Sequence, residues 1–262
     1  MVPAVLVLAA LAGRPAAIPP GEAVVRAAYD MYHGRWFVNA FYIARMEISD
    51  EPQRVETWYE SVVSPGLMRI DVAPAMTGRA IFFRNDSTYE LGKGRVQTAA
   101  AGVQPLFVLL HDLHSAPPAH TIALLNRYRF DLTRTHTRVW DGEPVIVVGA
   151  LAGDTTSNQF WLEKKRMVLV RMIEQNGADV RKPLDARITG YKKAGNGWLE
   201  TNVRMFLGGV LSTAAEYTIV RVNTVVEPGL FQPTPFRRPI WVRDEKDIFG
   251  GVPESIPQGA HH

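Results

Sequence analysis

Hydrophobic and polar positions alternate in short runs along most of this chain, and Asp141–Glu174 shows the pattern most clearly. Three strands are expected there, at Pro144–Ala150, Ser157–Glu163 and Met167–Glu174. Val, Ile, Phe and Trp fill the runs, and the polar turns AGDTT and KKR join them as consecutive antiparallel hairpins. Phe37–Ser49 alternates in the same way. Val38, Ala40, Tyr42, Ala44, Met46 and Ile48 fall on one face, while Phe37, Asn39, Phe41, Ile43, Arg45 and Glu47 fall on the other. Further strand pairs are expected at Arg54–Val63 with Leu67–Val72, at Arg79–Arg84 with Ser87–Leu91, and at Asp185–Lys193 with Trp198–Phe206 around AGNG. Arg129–Trp140 and Glu216–Asn223 complete the set.

Helical spacing interrupts this rhythm in three places. Gly21–His33 carries Val24, Val25, Ala28 and Tyr32 at helical intervals after Pro19 and Pro20, and Gly34 ends it. After a loop at Ala99–Gly102, Val103–His114 sets Leu106, Leu109, Leu110 and Leu113 on one stripe. Pro117–Pro118 breaks that helix, and His120–Tyr128 forms another with Ile122 and Leu125 inward. Beyond Phe231 the chain is rich in Pro, which predicts an extended, poorly packed tail. About ten or eleven strands with so few helices exclude a doubly wound sheet. A sheet of that size must curl, close or split. The expected fold is mainly β with α+β character: one large curved antiparallel sheet forming a half-open β-barrel, its concave face covered by a few helices. Met68, Ile70, Leu199, Val203 and Met205 supply large apolar residues to one face of their strands.

The chain of 262 residues suits one all-β domain. Lys plus Arg is 29 and Asp plus Glu is 26, a net charge of +3, and the basic residues are scattered. That distribution argues against nucleic-acid binding. Residues 2–12, VPAVLVLAALA, are apolar and precede small residues near Ala16 and Ala17, as in a secretory signal. The run lacks the basic residues that commonly precede such a segment, and a buried N-terminal helix is the alternative. No other stretch is long enough to cross a bilayer. The expected organisation is a signal peptide over residues 1–17, a half-barrel domain over 18–235 and a Pro-rich tail over 236–262. Cysteine is absent, which removes disulfides, thiolate metal sites, cysteine nucleophiles and a lipid-modified cysteine together.

Candidate chemistry is sparse. His111 and His114 lie three apart beside Asp112, with His120 beyond the break, a spacing zinc can use. No HExxH pattern or third ligand accompanies them, so polar side chains facing solvent on a helical lid are the preferred reading. Trp36, Trp58, Trp140, Trp161 and Trp198 line either a cavity or ordinary cross-strand packing. Trp161 and Phe160 point to opposite faces. Arg69, Asp71 and Arg171 read as a salt-bridged outer face. Gly92–Gly94 lacks the strand–turn–helix setting of a phosphate loop. Ser64 and Ser87 have no His and Asp arrangement to activate them. Neither an enzyme, a metal nor a cofactor is expected.

The segment PGLMRIDVAP (Pro65–Pro74) followed by GRAIFFRNDSTYEL resembles a stretch of the LolA/LolB-like outer-membrane lipoprotein carriers. QPLFVLLHDL is similar to their helix under the sheet, SNQFWLEKKRMVLVRMIE to a hairpin, and VNTVVEPGLFQPTP to their closing segment. The likeness runs in order from about Glu22 to Pro235. It implies an incomplete antiparallel barrel plugged by helices, whose apolar cavity shelters the acyl chains of a lipid or lipoprotein. The family's cavity arginine has no position that these motifs assign. On this resemblance the cavity is expected to be lined by Tyr42, Met46, Met68, Ile70, Leu106, Leu109, Leu110, Leu113, Trp161, Met172, Leu199, Val203 and Met205. The implied protein is a monomeric periplasmic carrier exchanging cargo with inner- and outer-membrane donor and acceptor proteins. Val103–Tyr128 is the expected lid. The alternative is a lipid-binding sensory or interaction module of the same fold, without transfer activity.

Overall fold

The computed structural model describes residues 20–175 and 182–242. The segments expected to be a signal peptide (1–17) and the end of the tail (243–262) lie outside the described residues. Helix α1 (Gly21–Tyr32) leads into β1 (Asn39–Ile48), β2 (Arg54–Val63), β3 (Leu67–Val72), β4 (Ala80–Arg84), β5 (Ser87–Gly92) and β6 (Arg95–Ala101). Helical cover follows: α2 (Pro105–Phe107), continued by a π-helical turn at Val108–Asp112, and α3 (Pro118–Arg127). The second run comprises β7 (Thr135–Trp140), β8 (Glu143–Val148), β9 (Gln159–Glu163), β10 (Leu169–Glu174), β11 (Leu184–Thr189), β12 (Lys192–Ala194), β13 (Gly197–Leu199), β14 (Asn202–Leu207) and β15 (Val210–Val222).

Thirteen of these strands form one sheet in the order β6-β5-β4-β3-β2-β1-β15-β14-β11-β10-β9-β8-β7. Every neighbouring pair is antiparallel. The two ends, β6 and β7, do not pair with each other, so the sheet curls without closing. The fold is therefore the half-open barrel that the strand pattern predicts. Two up-and-down meanders meet at a single joint, where β1 pairs with β15 from Ala40↔Val222 to Ile48↔Thr213. A bulge in β15 interrupts the joint between Ile43 and Ala44 and adds local twist.

Several boundaries differ from the sequence expectation. Ala99–Ala101 belongs to edge strand β6, not to a loop. Its residues are all exposed, so burial imposed no alternation that the sequence could display. The strand Asp185–Lys193 breaks at Gly190, and its partner Trp198–Phe206 breaks at Glu200–Thr201. Gly190 has φ +70°, and a Cβ there would lie 2.1 Å from Thr201 Oγ1. The hairpin therefore kinks, and β12–β13 forms a separate two-stranded arm. Gly197 lets that arm pack on the Trp36 ring, since a Cβ would meet Trp36 Cδ2 at 2.9 Å.

The residues after β15 are extended, yet 224–242 does not form a loose tail. Asn39 holds its start, donating from Nδ2 to the Thr224 carbonyl and accepting from the Thr224 N–H, both at 2.9 Å. The segment then crosses the outer face of the first meander. Phe41 packs with Leu230 and Phe231, Tyr59 with Val242, and Phe82 and Leu91 with Phe236. Beneath this strap lie Arg69 (1% exposed) and Asp71 (0%) in a bidentate pair with two 2.7 Å bonds. The same guanidinium donates to the carbonyls of Leu230 at 2.8 Å and Arg237 at 2.7 Å. It sits 4.9 and 5.1 Å from the rings of Phe82 and Phe236. Arg69 and Asp71 are thus on the outer face, as expected, but buried. Arg171 pairs separately with Asp185 at 2.8 Å.

Removing one member of a buried pair leaves the other charge uncompensated, which costs about 3–5 kcal/mol. Arg69→Met should lower the unfolding free energy in urea by about that amount, and Arg69→Met/Asp71→Leu should recover most of the loss. Equal stability of the single variant and the wild type would show that the strap does not depend on the pair.

Candidate functional site: the concave face

Strand alternation turns one residue in two toward the hollow of the sheet. Around the second meander, α1 and α3, an apolar cluster includes Val24, Val25, Met46, Leu109, Leu113, Phe160, Leu162, Met172 and Val203. Leu106, Leu110 and Met205 pack against it, half-buried. Around the first meander a second cluster includes Trp36, Tyr42, Met68, Ile70, Phe107 and Leu199. Trp58, Tyr191 and Tyr217 touch both clusters. Twelve of the thirteen residues expected to line a cavity therefore sit in or against these two clusters.

Trp161 does not. It occupies the outer face with Val145, Val147 and Ala150, its ring 5.0 Å from Trp140 and beneath Arg138 and Arg171 at 4.7 and 4.5 Å. The adjacent Phe160 takes the inner position, 6.0 Å from Phe130.

The cover is assembled from short pieces. The stretch expected as one helix over Val103–His114 begins with α2 and widens into the π-turn, where the Leu113 N–H donates to the Val108 carbonyl at 3.0 Å. That wider turn buries His111, Asp112, Leu113 and His114 together. The two histidines and the aspartate do not face solvent as expected; His120 does. Polar contacts pin the cover to the sheet. Ser64 Oγ donates to the His111 carbonyl at 2.7 Å, the Gly66 N–H to Asp112 Oδ1 at 3.1 Å, and His114 Nε2 to the Met167 carbonyl at 2.9 Å. Tyr32 donates to the Arg166 carbonyl at 2.8 Å, and Tyr191, on the arm, to the Leu169 carbonyl at 2.5 Å.

The hollow is filled by these side chains. A groove of about 820 Å³ opens where the sheet ends, lined by Ile48, Asp50, Lys182, Leu207, Leu211 and Thr213. Ile48 belongs both to this groove and to the packing of the first cluster.

Within the greasy face runs a buried polar seam. Glu60 on β2 is 3% exposed, and Glu200, between the arm and β14, is 2% exposed. Tyr42, Tyr191 and Tyr217 surround them; the Tyr217 hydroxyl lies 3.5 Å from Glu60 Oε2, too long for a strong bond. Among the described residues no Lys or Arg reaches ion-pair distance of either carboxyl. Burial raises Glu60 to about 7 and Glu200 to about 8, the latter also because a charge on Glu60 would oppose its own. The seam continues through Tyr42, whose ring is 5.1 Å from Tyr217 and 6.0 Å from His111. Burial lowers His111 to about 3 and His114 to about 4, and raises Asp112 to about 7. His114 stacks on Trp36 at 4.0 Å as a neutral ring. No three His, Asp or Glu side chains converge as a metal set among the described residues.

The sequence reading overlooked Glu60 and Glu200. A signal for Glu60 was present: it is in phase with Trp58 and Val62 on β2 and opposite Tyr42 and Ile70 in register. Glu200 had none, because it follows the kink that ends strand alternation.

An unclosed antiparallel sheet with an apolar concave side, plugged by short helices, defines a class of fold that solved structures share. A domain named for outer membrane lipoprotein sorting, from Vibrio parahaemolyticus, superposes with a TM-score of 0.56 at 12% identity, covering 81% of this chain and 96% of that one. A DUF1329 family protein from Desulfovibrio piger gives 0.53 at 14% identity, covering 81% and 95%. A LolA superfamily protein from Nitrosomonas europaea gives 0.49 at 9% identity, covering 81% and 97%. The first two establish that this chain shares their fold. No protein-family model matches the sequence, and no curated protein does. No helix among the described residues is long and apolar enough to cross a membrane.

The seam sets a pH dependence. The unfolded chain loses the protons of Glu60 and Glu200 near pH 4.5, whereas the folded chain keeps them to about 7 and 8. Their contribution to stability is thus complete below pH 4.5 and is lost as pH rises through those higher values. His111 and His114 act in the opposite sense, eroding stability as pH falls from 6.5 toward 4 and 3. The urea midpoint should therefore fall between about pH 6.5 and pH 8.5, and Glu60→Gln and Glu200→Gln should each flatten the fall. A slope unchanged in the double variant would mean that both acids titrate normally.

Proposed function

We propose that this protein is a non-enzymatic carrier that takes the acyl chains of a lipid or lipoprotein into its concave face. It acts in the periplasm as a monomer, exchanging cargo between membrane-bound donor and acceptor proteins. The observation that carries this reading is the broad apolar inner wall, crossed by the polar seam and covered by separate short pieces: helices, the π-turn and the two-stranded arm. Such a cover can part piece by piece, whereas a sheet-on-sheet core cannot. The described conformation is then the closed state, in which α2, the π-turn, α3 and the arm occupy the space of the cargo. The groove beside Ile48 supports an entrance at that end of the sheet. Burying a methylene contributes about 0.8 kcal/mol, so an acyl chain of about 14 carbons supplies on the order of 11 kcal/mol against the cost of opening.

A second reading, an interaction module that holds lipid without transferring it, is favoured by β6, whose seven residues are exposed along an unpaired edge. Transfer of a labelled lipid between two vesicle populations separates the two.

The absence of cysteine permits a clean test. The hydroxyls of Ser64 and Ser115 both donate to the His111 carbonyl, at 2.7 and 3.2 Å. In Ser64→Cys/Ser115→Cys, oxidation should pin the cover to the β2–β3 turn. A fluorescent fatty acid should bind the reduced variant and the wild type, with uptake falling at least about tenfold on oxidation and returning on reduction. No uptake by the wild type would sink the carrier, and uptake indifferent to oxidation would rule out this lid.

A further inference from the structure

Buried carboxyls are ordinarily paired with a cation or held by several hydrogen bonds. Glu60 and Glu200 have neither. They belong to one buried polar cluster where the two apolar clusters meet: Tyr42 stands opposite Glu60 across β1 and β2, the Tyr217 hydroxyl lies 3.5 Å from Glu60, and the Tyr217 N–H donates to the carbonyl of Thr201, the residue after Glu200. Tyr42 adds an independent sign of an absent partner: it is 1% exposed, its hydroxyl has no hydrogen-bond partner, and it feels Glu60, Glu200, Tyr191 and Tyr217. Arg166 lies 5.6 Å from the Tyr191 ring, but Glu163 holds its guanidinium at 2.6 Å. The cluster therefore combines acid groups with aromatic rings, the pair of features that recognises ammonium ions.

We propose that the cluster of Tyr42, Glu60, Tyr191, Glu200 and Tyr217 receives, when the cover parts, the ammonium group of a cationic amphiphile whose chain lies along the apolar wall. This rests on the carrier reading and adds the headgroup class to it. Without cargo and below about pH 7 the acids stay protonated and neutral, which lets the face close without a buried charge. An arriving ammonium group makes ionisation favourable, and the protons leave. Binding is thereby coupled to proton release, so affinity rises with pH while the acids are still protonated. The titratable groups of the cluster and around it are Glu60 from β2, Tyr42 from β1, Tyr217 from β15, Tyr191 and Glu200 from the arm region, and His111 from the cover, with Arg166 beside Tyr191. His111 is held neutral by burial and opposes no incoming cation at neutral pH.

The test is calorimetric titration of the full chain with dodecyltrimethylammonium, dodecylamine, dodecanol and dodecanoate, each below its micellar concentration. The two cations should bind on the order of tenfold more tightly than the alcohol or the acid. Their heats should change with the ionisation enthalpy of the buffer, as proton release requires. Glu60→Gln/Glu200→Gln should abolish the preference for the cations and the buffer dependence. Tyr42→Phe, which removes only the unpartnered hydroxyl, should keep the fold and weaken binding of the primary amine more than that of the quaternary one. Equal affinity for all four ligands, or a preference that survives the double substitution, would overturn the headgroup assignment and leave the carrier intact. Failure of every ligand to bind would remove both.

Discussion

The pairing of β1 with β15 is the contact on which the architecture rests. Each meander is local, since its strands pair with their neighbours in the chain, apart from the excursion of β12–β13. Only the ladder from Ala40↔Val222 to Ile48↔Thr213 ties the beginning of the sheet to its end. It creates a wall wide enough to curl and gives both halves one concave side. The polar seam lies at this joint: Tyr42 comes from β1, Tyr217 from β15 and Glu60 from β2, which flanks β1. The two apolar clusters thus meet along weakly hydrogen-bonded groups. A boundary of that kind holds less cohesion than continuous hydrocarbon packing, because each buried polar atom without a good partner offsets part of the gain from burial.

The cover follows from the same geometry. A sheet that curls without closing cannot bury its hollow against itself, and among the described residues the other sheet is the two-stranded arm alone. The chain uses the crossover between β6 and β7, the helix ahead of β1 and a kinked hairpin. Each piece is fixed by a few directed bonds and by apolar side chains reaching into the hollow. Ser64, Gly66 and Met167 act as latch points for the π-turn and the residues just after it. Such a cover is specific in place but divided in substance.

Much of this was legible in the sequence, because wherever one strand face is buried the alternation has to show. β1, β2, β3, β5, β9 and β10 fall within a residue or two of their expected bounds, β3 and β9 through short runs between turn residues, since both of their faces are buried. The inner residues Met68, Ile70, Met172 and Val203 follow from the same periodicity. Elsewhere the pattern is silent: β6 is exposed on both faces, the start of β15 is exposed or half-buried without alternation, and the π-turn is buried nearly all round. His111, Asp112 and His114 looked like solvent-facing groups because polar residues usually are, and only tertiary packing reveals their burial. The strap was hidden for a related reason: extended Pro-rich chain has no period, and its anchor, Arg69, lies more than 150 residues earlier in the sequence.

The strap also divides the molecule mechanically. From Thr224 to Val242 it crosses the outer surface of the first meander and is riveted there by Arg69 and by the Phe82, Phe236 and Trp241 rings. Among the described residues nothing comparable backs the second meander, whose outer surface carries the small Trp161 cluster. Curvature is therefore stiffened on one side of the β1–β15 joint and left compliant on the other. On the proposed carrier reading, widening of the hollow would swing the unbraced wing against the braced one, with the joint between them as the hinge line.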